Sequence, residues 1–140
     1  MGNPRNDERV VADSHLWIEH FNGNRNSHTL ELQRLARAKK LWLAGPILCE
    51  VLTGPKREDQ RRYLQSRMCL LPFLETTIRV WSIGVELFRL TSVRTRKVPW
   101  QDVLIAAHCI ANEAALFTRD PHFDAFPTLS RHSINPAQEA

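Results

Sequence analysis

Four short apolar runs punctuate this chain: RVVA, LWLA, CLLPF and ALFT. Segments of helical period separate them. Runs of four or five residues suit short strands, and strands that alternate with helices imply a parallel sheet covered on both faces. The expected class is therefore α/β, a central parallel sheet with helices on both sides. At 140 residues one compact domain is the natural reading. Residues 1–9 read as a polar, Pro- and Gly-containing lead-in, 10–134 as the domain and 135–140 as a tail.

Punctuation residues support the helical intervals. Asp13-Ser14 after RVVA reads as a helix start, and Asn22-Gly23-Asn24 as its stop. Ser27 is placed to cap the next helix, which ends in the basic run at Lys40. Pro46 suits a first helical turn and Gly54-Pro55 its end. A charged, exposed helix is expected over about 56–67. In ETTIRVWSIGVELFRLTSVR, residues Ile78, Trp81, Val85 and Phe88 recur at helical spacing and predict an amphipathic helix with that stripe as its apolar side. Gly84 inside it marks either a small cost or a close approach. Pro99 precedes a last helix from about Gln101 to Asn112.

Four acids border these runs: Asp13 in VVADSHLW, Glu50 in LAGPILCEVLTG, Asp102 in VPWQDVLIAAHC and Asp120 in LFTRDPHF. In open parallel sheets, active groups gather at the carboxyl ends of strands beside helix starts. Asp13 and Asp120 close strands, and Asp102 and Glu50 lie near helix starts. All four can share one edge of the sheet. Taken singly, Asp13 and Asp102 could cap helices, Asp120 before Pro121 could make an Asx turn, and Glu50 could be a surface charge. Glu50 fits that last role worst, because Ile47, Leu48, Cys49, Val51 and Leu52 flank it. Two carboxylates about 4 Å apart repel by roughly 4 kcal/mol at an effective dielectric near 20. Such a cluster takes up protons or binds a cation. Oxygen-only ligands favour Mg²⁺ or Mn²⁺, which serve in-line displacement at phosphorus.

The remaining composition narrows the partners. The formal net charge is +4, with basic clusters at Arg34, Arg37, Lys39 and Lys40, at Lys56, Arg57, Arg61, Arg62 and Arg67, and at Arg94, Arg96 and Lys97. These suit either a solvated helix face or a polyanion surface. A basic rim around an acidic pocket fits a nucleic acid better than a small neutral substrate. GxGxxG and GxxxxGK[ST] are absent, which argues against nucleotide cofactors. No stretch is long and apolar enough to span a bilayer, and no secretory start appears, so the expected setting is cytoplasmic. Cys49, Cys69 and Cys109 lack metal or disulfide spacing and read as small core residues. The six histidines show no paired ligand spacing, so zinc is not expected. His108 reads as a satisfied core or edge histidine, and the four tryptophans as core or interface anchors. Trp100, beside Asp102, is the one placed to meet RNA.

From VVADSHLW through PWQDVLIAAHC to LFTRDPHF the chain resembles PIN-domain proteins, and most of all the VapC-type toxins of bacterial toxin–antitoxin pairs. PWQDVLIAAHC is close to that family's Asp-Xaa-Leu-Ile-Ala-Ala helix start, and LFTRDPHF to its strand-end Thr-Xaa-Asp/Asn followed by Phe. The resemblance implies a metal-dependent endoribonuclease with Asp13, Glu50, Asp102 and Asp120 as its acidic site. Asp13 and Asp102 would be the principal Mg²⁺ ligands. Glu50 and Asp120 would complete the pocket and position the attacking water, with Asp124 as a weaker candidate for the fourth acid. Ser14 and Thr118 would orient the acids through their hydroxyls. The resemblance also implies cleavage of structured RNA such as tRNA or rRNA to leave a 5′-phosphate, a homodimer, and a hetero-oligomer with a VapB-like antitoxin. Family antitoxins often place an Arg among the acids. Two other readings are a PIN nuclease of RNA processing, or of DNA, without an antitoxin, and a non-catalytic PIN module that binds RNA or protein.

Overall fold

The computed structural model describes residues 8–135. The elements run β1 (Arg9–Ala12), α1 (Ser14–Phe21), α2 (Ser27–Arg37), β2 (Leu41–Ala44), α3 (Gly45–Thr53), α4 (Glu58–Met68), β3 (Phe73–Leu74), α5 (Ile78–Phe88), α6 (Thr91–Thr95), α7 (Trp100–Ala111) and β4 (Ala114–Phe117). A single 3₁₀ turn, Pro121–Ala125, follows β4. The sheet is four-stranded and parallel throughout, in the order β3-β2-β1-β4. Most of the proposed lead-in and tail, 1–7 and 136–140, lies outside the described residues, and Arg9 belongs to β1. No helix among the described residues is long and apolar enough to cross a membrane.

RVVA, LWLA and ALFT mark strands, whereas CLLPF contributes only its last residue to one, Phe73–Leu74. Its strand, β3, begins only at Phe73, because Cys69–Leu71 turn back on the end of α4 through Leu71 N–H to Met68 O at 3.1 Å. β1 lies between its partners, in register Val10 with Leu41 on one side and Val10 with Ala115 on the other. Val10, Val11 and Ala12 are fully buried. Burial on both faces explains why a parallel strand reads as a continuous apolar run with no alternation. α2 starts one residue earlier than Ser27 would place it. Asn26 is the cap: its side chain accepts from the N–H groups of His28 and Thr29, and Thr29 answers with its hydroxyl.

α7 is buried nearly all round, from Val103 through Cys109, so its polar members must find partners internally. His108 does so, with Nε2 2.7 Å from the Thr76 hydroxyl and Nδ1 2.7 Å from Leu104 O. Burial pushes the Cys109 thiol up to about 12. Cys49 and Cys69 are exposed, contrary to the expectation that all three are core residues. Trp17 is buried, whereas Trp81 and Trp100 are exposed. The Arg9 guanidinium lies 4.5 Å over the ring of Trp42.

The largest departure is in α5. Val80, Gly84 and Leu87 face the core, and Ile78, Trp81, Val85 and Phe88 face solvent. α5 carries apolar residues on both sides, and period alone cannot tell which side packs. Gly84 settles it, because a small residue lets α5 lie close to α7. A Cβ added at Gly84 would meet Leu104 Cδ2 at 3.8 Å and Ala107 Cβ at 3.9 Å, which is ordinary contact. Gly84→Ala is therefore expected to stabilise the fold by about 0.5–1 kcal/mol, the usual gain for a helix-interior glycine with room for a methyl. A lower urea midpoint for the variant would show that the two helices cannot take the methyl.

Candidate active site

Chain geometry at the strand ends delivers the acids. β1 ends at Ala12, and Asp13 turns the chain into α1, its carboxylate Oδ1 accepting from Ser14 N–H at 2.8 Å. Asp13 N–H donates to Phe117 O at 2.9 Å, which fixes the end of β1 to the end of β4. Thr118, the next residue after β4, donates its hydroxyl to Asp13 Oδ2 at 2.6 Å and accepts from Asp120 N–H at 3.0 Å. One threonine thus sets the positions of two acids. Asp102 lies in the first turn of α7, where the helix dipole favours a negative charge. Glu50 projects from α3, and the Ser14 hydroxyl reaches its Oε2 at 3.1 Å.

The electrostatics show that the four acids share one site. Burial alone would push the Asp13 carboxyl up, but hydrogen bonds from His15 and Thr118, the charge of His15 and the Ser14 N–H hold it below its ordinary value. Burial holds Glu50 above its ordinary value, and repulsion by Asp13 and Asp102 adds to this against the Ser14 hydrogen bond. Asp102 is likewise raised by burial and then by Asp120 and Asp13, with His122 opposing. Asp13 is therefore the ionised anchor of the group, and Glu50 and Asp102 carry the unrelieved repulsion.

Two further groups occupy the site that the sequence reading did not include. His15 Nδ1 lies 3.2 Å from Asp13 Oδ2. His122 Nδ1 lies 3.2 Å from Asp102 Oδ2 and 3.3 Å from Asp120 Oδ1. The signal for His122 is in DPH: Asp120 caps the 3₁₀ turn, Pro121 has no N–H, and His122 is the first residue able to donate to the cap, at 2.9 Å. That bond carries the imidazole back over the acids.

The residues present fit a divalent cation. Glu50 Oε1 is buried without a hydrogen-bond partner, a costly state for a carboxylate oxygen unless a cation lies beside it, and the buried His122 Nδ1 faces the oxygens of Asp102 and Asp120. Asp102, Asp120 and His122 each offer a donor atom, all within 4.8 Å of one another. Asp124 is placed differently: its carboxylate is exposed and takes Arg131 Nη1 at 3.1 Å.

The site is apolar on one side. A cavity of about 530 Å³ opens beside Glu50, lined by Pro46, Cys49, Trp81, Trp100 and Leu104 among others. The basic clusters are unequally available. Arg34 is paired with Glu31, Arg57 with Asp59, and Arg61 and Arg62 with Glu58. Arg94, Arg96 and Lys97, just before α7, form no ion pair among the described residues.

Comparison with known proteins identifies the fold and the family. Three solved structures share the fold. A VapBC2 complex from Rickettsia felis bound to a promoter DNA fragment has a TM-score of 0.73 at 21% identity, over 88% of this chain and 96% of the other. A toxin–antitoxin complex from Klebsiella pneumoniae gives 0.68 at 18%, over 86% and 94%. FitAcB from Neisseria gonorrhoeae gives 0.67 at 15%, over 88% and 96%. No curated protein sequence matches the chain significantly. The PIN domain profile matches residues 10–129, a span that holds all four acids, His15 and His122. The chain belongs to the PIN-domain family.

Proposed function

We propose that this protein is a VapC-like toxin, a Mg²⁺- or Mn²⁺-dependent endoribonuclease that cleaves tRNA or rRNA and is neutralised by a cognate antitoxin. The observation that carries the reading is the gathering of Asp13, Glu50, Asp102 and Asp120 at one edge of the parallel sheet, with Glu50 Oε1 buried and unpaired among them. Four mutually repelling carboxylates have no structural purpose in a binding module.

Asp13 and Asp102 would hold the cation, and Glu50 and Asp120 would complete its surroundings. When bound, such an ion lowers the pKa of a water and neutralises charge on the scissile phosphate. The chain's own groups prepare the rest. Thr118 keeps Asp13 and Asp120 in place, and Ser14 aims Glu50. Glu50, its carboxyl raised by burial, is the better base near neutral pH and is the group assigned to take the proton of the attacking water. Hydrolysis would leave the 5′-phosphate.

Partners follow from the surface. The exposed apolar stripe Ile78, Trp81, Val85 and Phe88 is assigned to self-association, since an unpartnered patch of this kind marks an interface. Antitoxin binding is supported by the shared fold with proteins solved as toxin–antitoxin complexes. An antitoxin cation set among the acids would stand where the metal acts.

Arg94, Arg96 and Lys97 are assigned to RNA phosphates. Replacing all three with Ala is expected to weaken RNA binding at low salt by ~10-fold or more and to flatten the salt dependence by roughly 0.7 per lost contact in log–log slope. An unchanged slope would remove them from the RNA path. The function itself is tested by incubating the purified protein with total RNA and with DNA, in Mg²⁺ or in EDTA, and mapping the ends. RNA cleavage in Mg²⁺ only, with 5′-phosphate ends, is expected. Equal cleavage in EDTA, or cleavage of DNA alone, would defeat the proposal.

A further inference from the structure

We infer that His122 is a direct metal ligand, so that this site carries one nitrogen donor among its oxygens and prefers Mn²⁺ to Mg²⁺. This rests on the metal-dependent reading above and deepens it. His122 Nδ1 stands 3.2 Å from Asp102 Oδ2 and 3.3 Å from Asp120 Oδ1. Neighbouring donors on one octahedral ion with bonds of about 2.1 Å are separated by about 3 Å, so His122 Nδ1 stands from each oxygen as one ligand stands from its neighbour, and the donor atoms of all three residues lie within 4.8 Å of one another. Nδ1 is buried and sits almost equally far from the two oxygens, between two acids rather than on one. Its approach to Asp102 works against the rise of that carboxyl.

The ring is held in this position by the backbone. Asp120 Oδ1 accepts His122 N–H at 2.9 Å, so the carboxylate that would share the ion also fixes the turn carrying the imidazole. With its hydrogen on Nε2, the ring presents the Nδ1 lone pair to the acids. The other ring nitrogen is not needed inside the site, and the ring is partly open to solvent. His15 is placed otherwise: its Nδ1 meets one acid, Asp13 Oδ2 at 3.2 Å, and no second one. Imidazole is a poor donor for Mg²⁺ and a better one for transition-metal ions, and among ions that tolerate a mostly carboxylate and water shell this selects Mn²⁺.

The test is binding, read without activity. Mn²⁺ titrations of the full chain by electron paramagnetic resonance, alone and with competing Mg²⁺, give both affinities. Pulsed measurements on bound Mn²⁺ report nitrogen coupling directly. The wild type is expected to show a directly coupled ¹⁴N and to bind Mn²⁺ at least ~10-fold more tightly than Mg²⁺. In His122→Ala the coupling should vanish and Mn²⁺ affinity fall at least ~10- to 100-fold, the range seen when even an outer-shell partner of a ligand is lost, with Mg²⁺ affinity changing far less. The wild-type spectrum does not depend on how well the variant folds. Absence of ¹⁴N coupling in the wild type, coupling lost in His15→Ala and kept in His122→Ala, or an unchanged Mn²⁺/Mg²⁺ ratio in His122→Ala would each overturn the inference. Failure of the wild type to bind either ion would overturn the metal-dependent function along with it, which sets that outcome apart.

Discussion

Asp102→Asn should remove RNA cleavage and, in metal-free protein, raise the melting temperature; Asp13→Asn should remove cleavage and lower it. The activity effect is common to both because a carboxamide is a poor substitute for a cation-binding carboxylate. A loss of ~10³-fold or more corresponds to about 4 kcal/mol of lost transition-state stabilisation. The stability effects have opposite signs because the two acids stand in opposite environments. Asp102 is raised by burial and by Asp120 and Asp13, so neutralising it relieves repulsion that the folded state must otherwise bear. Asp13 is well supplied with donors from Ser14, Thr118 and His15. Asn still caps α1, but its neutral oxygen is a weaker acceptor, and hydrogen bonds to charged groups contribute about 1.5–3 kcal/mol each. Thermal unfolding in EDTA distinguishes the two. Destabilisation by Asp102→Asn would mean that burial and repulsion of the Asp102 charge cost less than its contact with His122 contributes.

The second large effect is linkage between pH, metal and stability. Glu50 and Asp102 have folded-state pKa values above their ordinary ones. Below the ordinary value both folded and unfolded states hold the proton, and these groups cost nothing. As pH rises from about 4 through the raised values, the unfolded chain releases protons that the folded one keeps, and stability is lost across that window. Asp13 has the opposite sign: its contribution is present above the ordinary carboxylate value and is lost as pH falls through its lowered one. Glu50 and Asp102 should therefore make the metal-free protein less stable at pH 7.5 than near pH 4. A bound divalent cation reverses that, adding about 2.7 kcal/mol when its concentration is 100 times Kd, and adding more at pH 7.5 than near pH 4. Urea titrations at both pH values, with EDTA and with Mn²⁺, measure the four stabilities. A cation increment equal at the two pH values would mean that the acids are not its ligands.

Some of this arrangement was legible in the residues and some was not, for physical reasons. The strands could be read because parallel strands buried on both faces are continuous apolar runs, and their ends could be read because Asp13 and Gly45-Pro46 have strong local signatures. The convergence of the acids was legible because strand ends of a parallel sheet share an edge. The packing side of α5 was not, since Ile78, Trp81, Val85 and Phe88 form as regular a stripe as Val80, Gly84 and Leu87, and only α7 decides between them. His122 was missed for a different reason. Its place depends on a 3₁₀ turn closing onto Asp120, and a turn this local has no period to detect. Exposure of Cys49 and Cys69 escaped notice because apolar neighbours along a chain need not be neighbours in space.

The order β3-β2-β1-β4 has a consequence for when the protein becomes dangerous to the cell that makes it, if it is the ribonuclease proposed. The first strand synthesised must wait for the last before its outer edge is paired. Thr118, which positions Asp13, and Asp120 both follow that last strand. A nascent chain that has exposed Asp13, Glu50 and Asp102 still lacks the groups that hold the site together. The polypeptide would then have to leave the ribosome to beyond β4 before it could cut RNA, and a partner able to hold it earlier would meet a site still without Thr118 and Asp120.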